Sequence, residues 1–406
     1  VIKCGSYVGN GSSTGPEIFL GDGWEPQFLM IKRTNSTGNW QIYDSMRGIV
    51  NGGNEARLNP NNDSAEAESE KIDLTPTGFK VKTSDGETNA SGSPIVFVAI
   101  RRPDGYVGKP AEAGTDVFAM DTGNSSSTIP VWDSGFPVDY ALYRQPATAD
   151  HWWTSARLIA GYELRANLNV SEGTYLDGTF DSNVGWNKGG LNTTFMSWMW
   201  KRHAGFDVVT YKGNKVAGLQ IPHSLNAVPE MMWVKNRGAS ENWAVYHKGL
   251  NGGTNPEQYF INLNENDDEY GSNNAMWNST APTSTHFTLG SWDEMNANNG
   301  DHIAMLFASV DGISSVGSYS GSSSNVSVTT GFQPRFVILK RIDSGGDWYV
   351  LDTTRGWGSG NDEYLIFANK AQASHDIGAP TSTGFTLTNN DEWNNASNKY
   401  IYYAHA

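Results

Sequence analysis

The chain has 406 residues, a net charge of −15 (28 Lys and Arg against 43 Asp and Glu), 12% aromatic residues and a single cysteine. Such acidity repels a phosphate backbone and an anionic lipid surface alike, which argues against nucleic-acid partners and membrane insertion. One thiol builds neither a disulfide framework nor a Cys-based zinc site, and no run of 18 apolar residues is present to span a bilayer.

The length predicts about two to four domains. Gly, Asn, Ser, Thr, Trp, Tyr and Val dominate, a mix that favours strands joined by many turns. The sequence opens on Val1-Ile2-Lys3-Cys4 with neither Met nor a signal peptide, so it reads as an internal or processed segment of a longer polypeptide.

Four repeat units follow one another. The first, 1–104, opens on Tyr7-Val8-Gly9-Asn10. Pro26 leads the apolar run Phe28-Leu29-Met30-Ile31, which ends in Lys32-Arg33 and is followed by Gly38-Asn39-Trp40. Thr75-Pro76-Thr77-Gly78-Phe79 comes next, and an apolar run at 95–100 closes the unit. The second, 105–204, is degenerate. Gly123-Asn124 is a weak opening; Val138, Arg144 and Trp152 take the places of the Pro, Lys and Trp. The third, 205–312, repeats the pattern with Tyr211-Lys212-Gly213-Asn214, Pro229, Lys235, Trp243 and Thr283-Ser284-Thr285-His286-Phe287. The fourth, 313–406, does so with Tyr319-Ser320-Gly321, Pro334, Lys340, Trp348 and Thr381-Ser382-Thr383-Gly384-Phe385. In every unit the Lys or Arg stands 6 residues after the Pro position and the Trp 14 after it.

Apolar runs of four to six residues ended by Lys or Arg suit buried strands. With turn signals at short intervals they predict an all-β fold of four tandem β-sandwich units, jelly-roll or lectin-like in topology. The segments 59–71 and 368–374 read as a loop or one short helix each. No amphipathic helix of 12 residues or more is predicted.

These blocks resemble a repeat domain of virion proteins from marine tailed bacteriophages. The Tyr-x-Gly-Asn-Gly opening, the Pro-x-Phe-(apolar)-Lys-Arg block and the Ala-Pro-Thr-Ser-Thr-x-Phe-Thr-Leu phrase at 281–289 and 379–387 carry the resemblance, which runs along essentially the whole chain. It implies a fibre or tail-appendage segment at the virion surface, touching other virion proteins, forming homo-oligomers of which a trimer is expected, and attaching to a host-surface glycan. It supplies no catalytic residues. The alternatives are a capsid decoration protein and a surface-polysaccharide depolymerase.

Trp40, Trp152, Trp243 and Trp348 recur once per unit. A residue present in every copy reads as scaffold, because catalysis needs one asymmetric constellation. Lys32, Arg144, Lys235 and Lys340 read as solvated or salt-bridged strand ends. Function is then expected where the copies differ, among Trp24, Trp132, Trp153, Trp186, Trp277, Trp292, Trp357 and Trp393. A ring beside Asn and Asp can stack on a sugar's C–H face while the polar groups take its hydroxyls. Folding back over the core, or filling a subunit interface, are the structural alternatives. Trp277 and Trp292, which bracket the polar loop of Asn264 and Asp267, are the first candidates for glycan contact. The stretch Asn264-Glu265-Asn266-Asp267-Asp268-Glu269 offers oxygen ligands to Ca²⁺ but lacks the Gly of an EF-hand loop. Glu66, Glu68 and Glu70 would share a strand face as a glycosidase pair must, yet their Asn-rich setting reads as a solvated loop. No nucleophile elbow, phosphate loop or His-Glu-x-x-His pair occurs, so no catalytic and no metal residues are assigned.

Overall fold

The structure, a computed structural model, describes residues 1–124, 130–175, 178–189, 191, 193–358, 362–366 and 371–406. It is nearly all β. Among the described residues there are two α-helices, Asn274–Trp277 and Asp293–Asn296, of four residues each. No helix among the described residues is long and apolar enough to cross a membrane.

Each repeat stretch builds a main antiparallel sheet by the same rule. The closing strand lies in the middle, between the opening strand and the strand after the Pro position; the strand after the Trp pairs outside the latter. In the first stretch the order is Ile2–Val8, Pro94–Arg101, Pro26–Arg33, Gln41–Asp44. In the third it is Phe206–Lys212, Asp301–Phe307, Met231–Asn236, Ala244–His247. Register aligns the copies: Lys32 lies opposite Val96, Arg144 opposite Met196, Lys235 opposite Ile303 and Lys340 opposite Ile401. The degenerate second copy thus takes the same pairing as the others. A smaller sheet covers each main one, as Leu219–Pro222 with His286–Leu289 does in the third stretch.

The opening motif has a physical cause. The Tyr7, Tyr211 and Tyr319 hydroxyls donate to the carbonyls of Thr88, Met295 and Trp393. The next residues, Asn89, Asn296 and Asn394, are fully buried and accept the backbone N–H of Asn10, Asn214 and Ser322. A Cβ on Gly9, Gly213 or Gly321 would lie 2.0–2.3 Å from a carbonyl oxygen of this loop, so the turn needs glycine.

Two readings are corrected. The segment 59–71 forms neither plain loop nor helix throughout: Ala67–Ser69 is a strand paired with Glu55–Arg57. Alternating Ala and Glu, with the carboxylates outward, satisfy a half-exposed edge. Glu66 and Glu70 are tied to Arg47 and Lys82 at 3.0 and 2.9 Å. Of the segment 368–374, residues 368–370 lie outside the described residues, and Ala373–His375 is a strand.

The main sheets of units 2, 3 and 4 are buried on both faces, and their residues alternate between two cores. In unit 3, Met232 and Val234 pack against the small sheet, while Met231 and Trp233 point to a core shared with the other units. Unit 4 divides Phe336 and Ile338 from Val337 and Leu339 in the same way. The shared core is a closed three-membered ring. Units 2 and 4 meet at Phe118–Phe336 (5.0 Å between centroids), units 2 and 3 at Trp200–Phe206 (6.1 Å), and units 3 and 4 at Phe307–Tyr403 (4.9 Å).

Unit 1 sits outside this ring, with its own core continuous with the shared one. A buried charge cluster also joins it to units 2 and 3. Glu25 accepts from Arg202 at 2.7 Å and pairs with the Arg102 guanidinium at 3.0 Å, and Asp207 accepts from Arg102 at 2.8 Å. All four residues are at most 6% exposed. Burial alone would raise the Asp207 carboxyl, but Arg102 and Arg202 outweigh it and hold it below the usual range.

Candidate functional site

The once-per-unit residues stitch units together. Trp152, Trp243 and Trp348 are fully buried, whereas Trp40 is half-exposed. The Trp348 indole donates to the Asn262 carbonyl of unit 3 at 3.0 Å, and the Trp243 indole donates to the Arg165 carbonyl of unit 2 at 2.9 Å. The recurring cations are not solvated strand ends. Lys235 and Lys340 have no exposed surface. Lys235 donates to four carbonyls, of Asn169, Asn236, Ala239 and Glu241, at 2.8–3.2 Å. Lys340 donates to those of Asn266, Asp267 and Gly346. Each ammonium satisfies carbonyls of its own hairpin loop and of the neighbouring unit. Burial pushes the Lys235 ammonium down to about 8, which leaves it charged at neutral pH. Arg144 is equally buried and donates to the Thr148 carbonyl at 2.9 Å.

Most of the non-repeated tryptophans lie inside. Trp24, Trp132, Trp186, Trp357 and Trp393 are at most 6% exposed. Trp277 is also buried, at 1% exposure. It packs edge-on against Tyr246 and donates to the Tyr259 carbonyl at 3.0 Å, so its ring is not offered to a ligand. The short helix Asn274–Trp277 turns it inward. Trp292 is different, with 40% of its surface exposed.

Trp292 precedes the helix Asp293–Asn296 and stands edge-on to Phe260, centroids 5.7 Å apart. Phe260 stacks on Tyr270 at 4.8 Å, and Tyr270 is itself 38% exposed. The Tyr270 hydroxyl donates to Asp267 at 2.6 Å; that bond, with burial and Glu265, holds the phenol well above its ordinary value. Glu265 accepts from the amides of Asn242 and Asn262, both at 2.8 Å. Glu294 completes the cluster. Burial, reinforced by Glu241 and Glu265, pushes its carboxyl up to about 7, and its Oε2 has no partner among the described residues. The result is two exposed rings bordered by the acceptors Asp267 and Glu265 and by a carboxyl that carries a proton for part of the time at neutral pH.

Lys340 fixes the loop from across the unit 3–unit 4 seam through the Asn266 and Asp267 carbonyls, and Gly346 N–H donates to Asn266 O at 2.7 Å. Asp267 therefore belongs to the cluster. The Asn264 side chain is engaged within the fold: it accepts the Trp243 backbone N–H at 2.7 Å, as Asn61 does for Trp40 and Asn167 for Trp152. Three of the carboxylates considered for calcium are engaged with the protein: Glu265 and Asp267 as above, and Glu269 by accepting the Asn251 N–H at 2.6 Å. Among the described residues no group of three or more His, Cys, Asp or Glu is placed to hold a metal ion.

The aromatic group of unit 2 is already filled from within. Lys188 Nζ lies 3.7 Å from the Tyr175 ring centroid and 4.2 Å from that of Tyr143. A polar cleft of about 280 Å³ separates units 1 and 3, lined by Asp73, Lys80, Lys212 and Arg237 among others. Its cations are partly spoken for, Lys212 by Asp301 at 2.8 Å and Arg237 by Glu172 at 2.7 Å.

No curated protein matches the chain. A family described as a domain of unknown function (DUF7483) matches residues 2–102 and 158–406; the gap falls on the first half of the degenerate second unit. With that match covering most of its length, the chain belongs to this family.

Proposed function

We propose that the chain is a structural and adhesive segment of a bacteriophage virion, a piece of tail fibre or appendage that holds a glycan-binding platform towards the host envelope. The observation that carries the adhesive part is the Trp292–Phe260–Tyr270 cluster with its bordering carboxyl groups. Exposed rings stack on the apolar face of a pyranose, and carboxylates accept its hydroxyl protons. The virion setting rests on the sequence resemblance. The surrounding scaffold suits the role, because a platform held on paired strands and buried lysines loses little entropy when it binds. A single such site is weak, so tethered copies at a particle surface would raise the effective concentration.

The test is binding of fluorescently labelled 1–406 to intact host cells, with extracted surface polysaccharide as competitor. Saturable binding abolished by the polysaccharide, and lost in Trp292→Ala, supports the reading. Absence of binding at micromolar protein, with the unfolding transition intact, overturns the adhesive part and leaves a decoration protein of the capsid. The partly protonated Glu294 beside Glu265 favours a second reading, a polysaccharide depolymerase. Release of reducing ends from the same polysaccharide, abolished in Glu294→Gln, would establish it.

A further inference from the structure

Unit 1 and its neighbours pack around a void of about 110 Å³ beside the buried charge cluster. The charged residues in its wall are Arg102, Arg157, Lys201 and Arg202 against Glu25 and Asp139. Asp207 stands behind Arg102 and Arg202, so four cations meet three carboxylates, on a chain whose net charge is −15. The three arginines are at most 8% exposed. Their donors are incompletely matched. The Nε of Arg102 lies 3.0 Å from Glu25 and that of Arg202 3.6 Å from Asp207, yet both are buried and neither N–H is aligned with an acceptor.

Arg157 is the least well neutralised of the three. Among the described residues its ion-pair partner is Asp139, at 3.4 Å, which also accepts the Arg202 backbone N–H at 2.8 Å. Its other bonds run to the carbonyls of Ser45, Val138 and Phe180, and its Nη1 lies 3.6 Å from the Sδ of Met46, a weak acceptor. Burial pushes this guanidinium below its ordinary value, and Asp139, with Asp181 more weakly, does not make up the difference. Burial acts on Arg102 in the same sense, but there Glu25 and Asp207 outweigh it and hold the group above its ordinary value. The Lys201 ammonium makes no hydrogen bond or ion pair among the described residues. Asp116, whose carboxyl feels Lys201, is engaged by the N–H groups of Glu112 and Ala113.

We propose that this void is a binding site for one small tetrahedral oxyanion, of the phosphate or sulfate type, which completes the charge balance of the joint. Guanidinium groups present paired N–H donors at the spacing of oxyanion oxygens, so a void walled by three of them favours such an ion over a halide. The size fits: a tetrahedral oxyanion needs a few times the volume of one water, and about 110 Å³ provides it. The ion would give acceptors to donors that the protein leaves unmatched, and a negative charge to Arg157 and Lys201. Water supplies acceptors but no charge, and a buried cation without a counter-charge is costly. An entry path exists, because Pro103 in the wall is exposed and Gln27, Met46 and Lys201 are half-buried. The wall draws on both unit 1 and unit 2, so a bound ion would fasten the first to the ring.

The proposal does not rest on the glycan reading. Its test is isothermal titration of 1–406 with inorganic phosphate and with sulfate, in a zwitterionic buffer at pH 7.5 with sodium chloride holding the ionic strength constant. One site per chain is expected for at least one of the two ions, with a dissociation constant below about 1 mM against the chloride background. The unfolding temperature should rise with occupancy. Met46→Glu brings a carboxylate to the Arg157 guanidinium in the ion's place. It should weaken binding by about tenfold or more and raise the unfolding temperature of the ion-free protein. Met46→Leu, which keeps the shape, should do neither. Lys201→Met removes a wall cation that lies outside the ion pairs; it should weaken binding by about threefold or more and leave the ion-free transition in place. Should Met46→Glu unfold early, Lys201→Met decides alone. No binding of either ion up to about 10 mM, or an affinity unchanged in the variants that fold, overturns the proposal.

Discussion

The indole of Trp348 reaches out of its own unit and donates to the carbonyl of Asn262 in the unit before it, at 3.0 Å. Trp243 repeats the bond to Arg165 at 2.9 Å. Units 2, 3 and 4 are therefore held by buried directional bonds as well as by apolar contact. Trp348→Phe keeps most of the ring volume and removes the donor, leaving a buried carbonyl without its partner. We expect a loss of about 1–3 kcal/mol. Trp348→Ala adds a cavity and should cost about 3–5 kcal/mol or more. Trp40→Phe should fall within about 0.5 kcal/mol of the parent. Denaturant titration of the three variants checks the order; equal losses for Trp40 and Trp348 would contradict it.

Trp277 and Trp292 look alike in sequence, each set among Asn, Ser and Asp, and the fold gives them opposite roles. Trp277 is 1% exposed beside Tyr246, so Trp277→Ala should lower stability by about 3–5 kcal/mol. Trp292→Ala removes a half-open ring and should cost under about 1 kcal/mol while abolishing binding to the polysaccharide. Thermal unfolding measured beside glycan binding separates the two. A Trp292 variant that unfolds well below the parent would show the ring to be core.

These contrasts mark what could be read in advance. The Pro, Lys and Trp spacing carried the strand register, even through Val138, Arg144 and Trp152, because spacing survives when residue types drift. The continuous apolar runs at 337–339 and 231–234 indicate strands buried on both faces. The run at 28–31 looks the same, yet one of its faces is open, since burial there depends on a surface that sequence composition does not describe. Lys235 and Lys340 resembled strand-end charges. Their partners are backbone carbonyls, which leave no trace in side-chain chemistry. Glu294 gives no signal in sequence, because its Glu241 and Glu265 neighbours are distant along the chain, and Asn264 reads as a ligand because its capping partner is a backbone N–H. The recurrence of Asn89, Asn296 and Asn394 is a signal legible in the sequence itself.

The cluster of Glu25, Arg102, Arg202 and Asp207 is the charged bond between unit 1 and the ring. Glu25→Gln would leave two buried guanidinium groups sharing Asp207 alone. Removing one member of a buried ion network costs about 3–5 kcal/mol. Because the cluster sits between unit 1 and its neighbours, the loss should fall on their coupling. Calorimetry should then resolve an early transition for unit 1 ahead of the ring, and limited proteolysis should cut first near 103–116. A single cooperative transition merely shifted to lower temperature would show that unit 1 has no stability of its own.

His247 gives the fold a local acid sensitivity. It is fully buried where units 3 and 4 meet. Its Nδ1 accepts the Gly249 N–H at 2.9 Å, so its proton sits on Nε2, which donates to the Tyr402 carbonyl at 3.2 Å. A second proton would have to enter between Nδ1 and the Gly249 N–H. Burial pushes the group down to about 4, against about 6.5 in an unfolded chain. Below 6.5 the unfolded chain binds a proton that the folded chain refuses. The stabilising contribution is thus present above about pH 6.5 and is lost as pH falls towards 4. The loss amounts to about 2–3 kcal/mol by pH 4.5. His203 and His302, held near 4, and His405, near 3, act in the same direction. Glu294, near 7, and Glu55, near 8, act in the opposite one: their contributions are present at low pH and fade as pH rises through 4.5 to those values. The whole-protein profile is therefore flattened, and the measurable quantity is a difference. His247→Gln, which keeps a donor and an acceptor but cannot titrate, should be less stable than the parent at pH 7.5, and that gap should shrink by about 2–3 kcal/mol at pH 4.5. Urea titrations of both proteins at the two pH values decide it. A gap that stays constant would mean that His247 holds its proton count unchanged through unfolding.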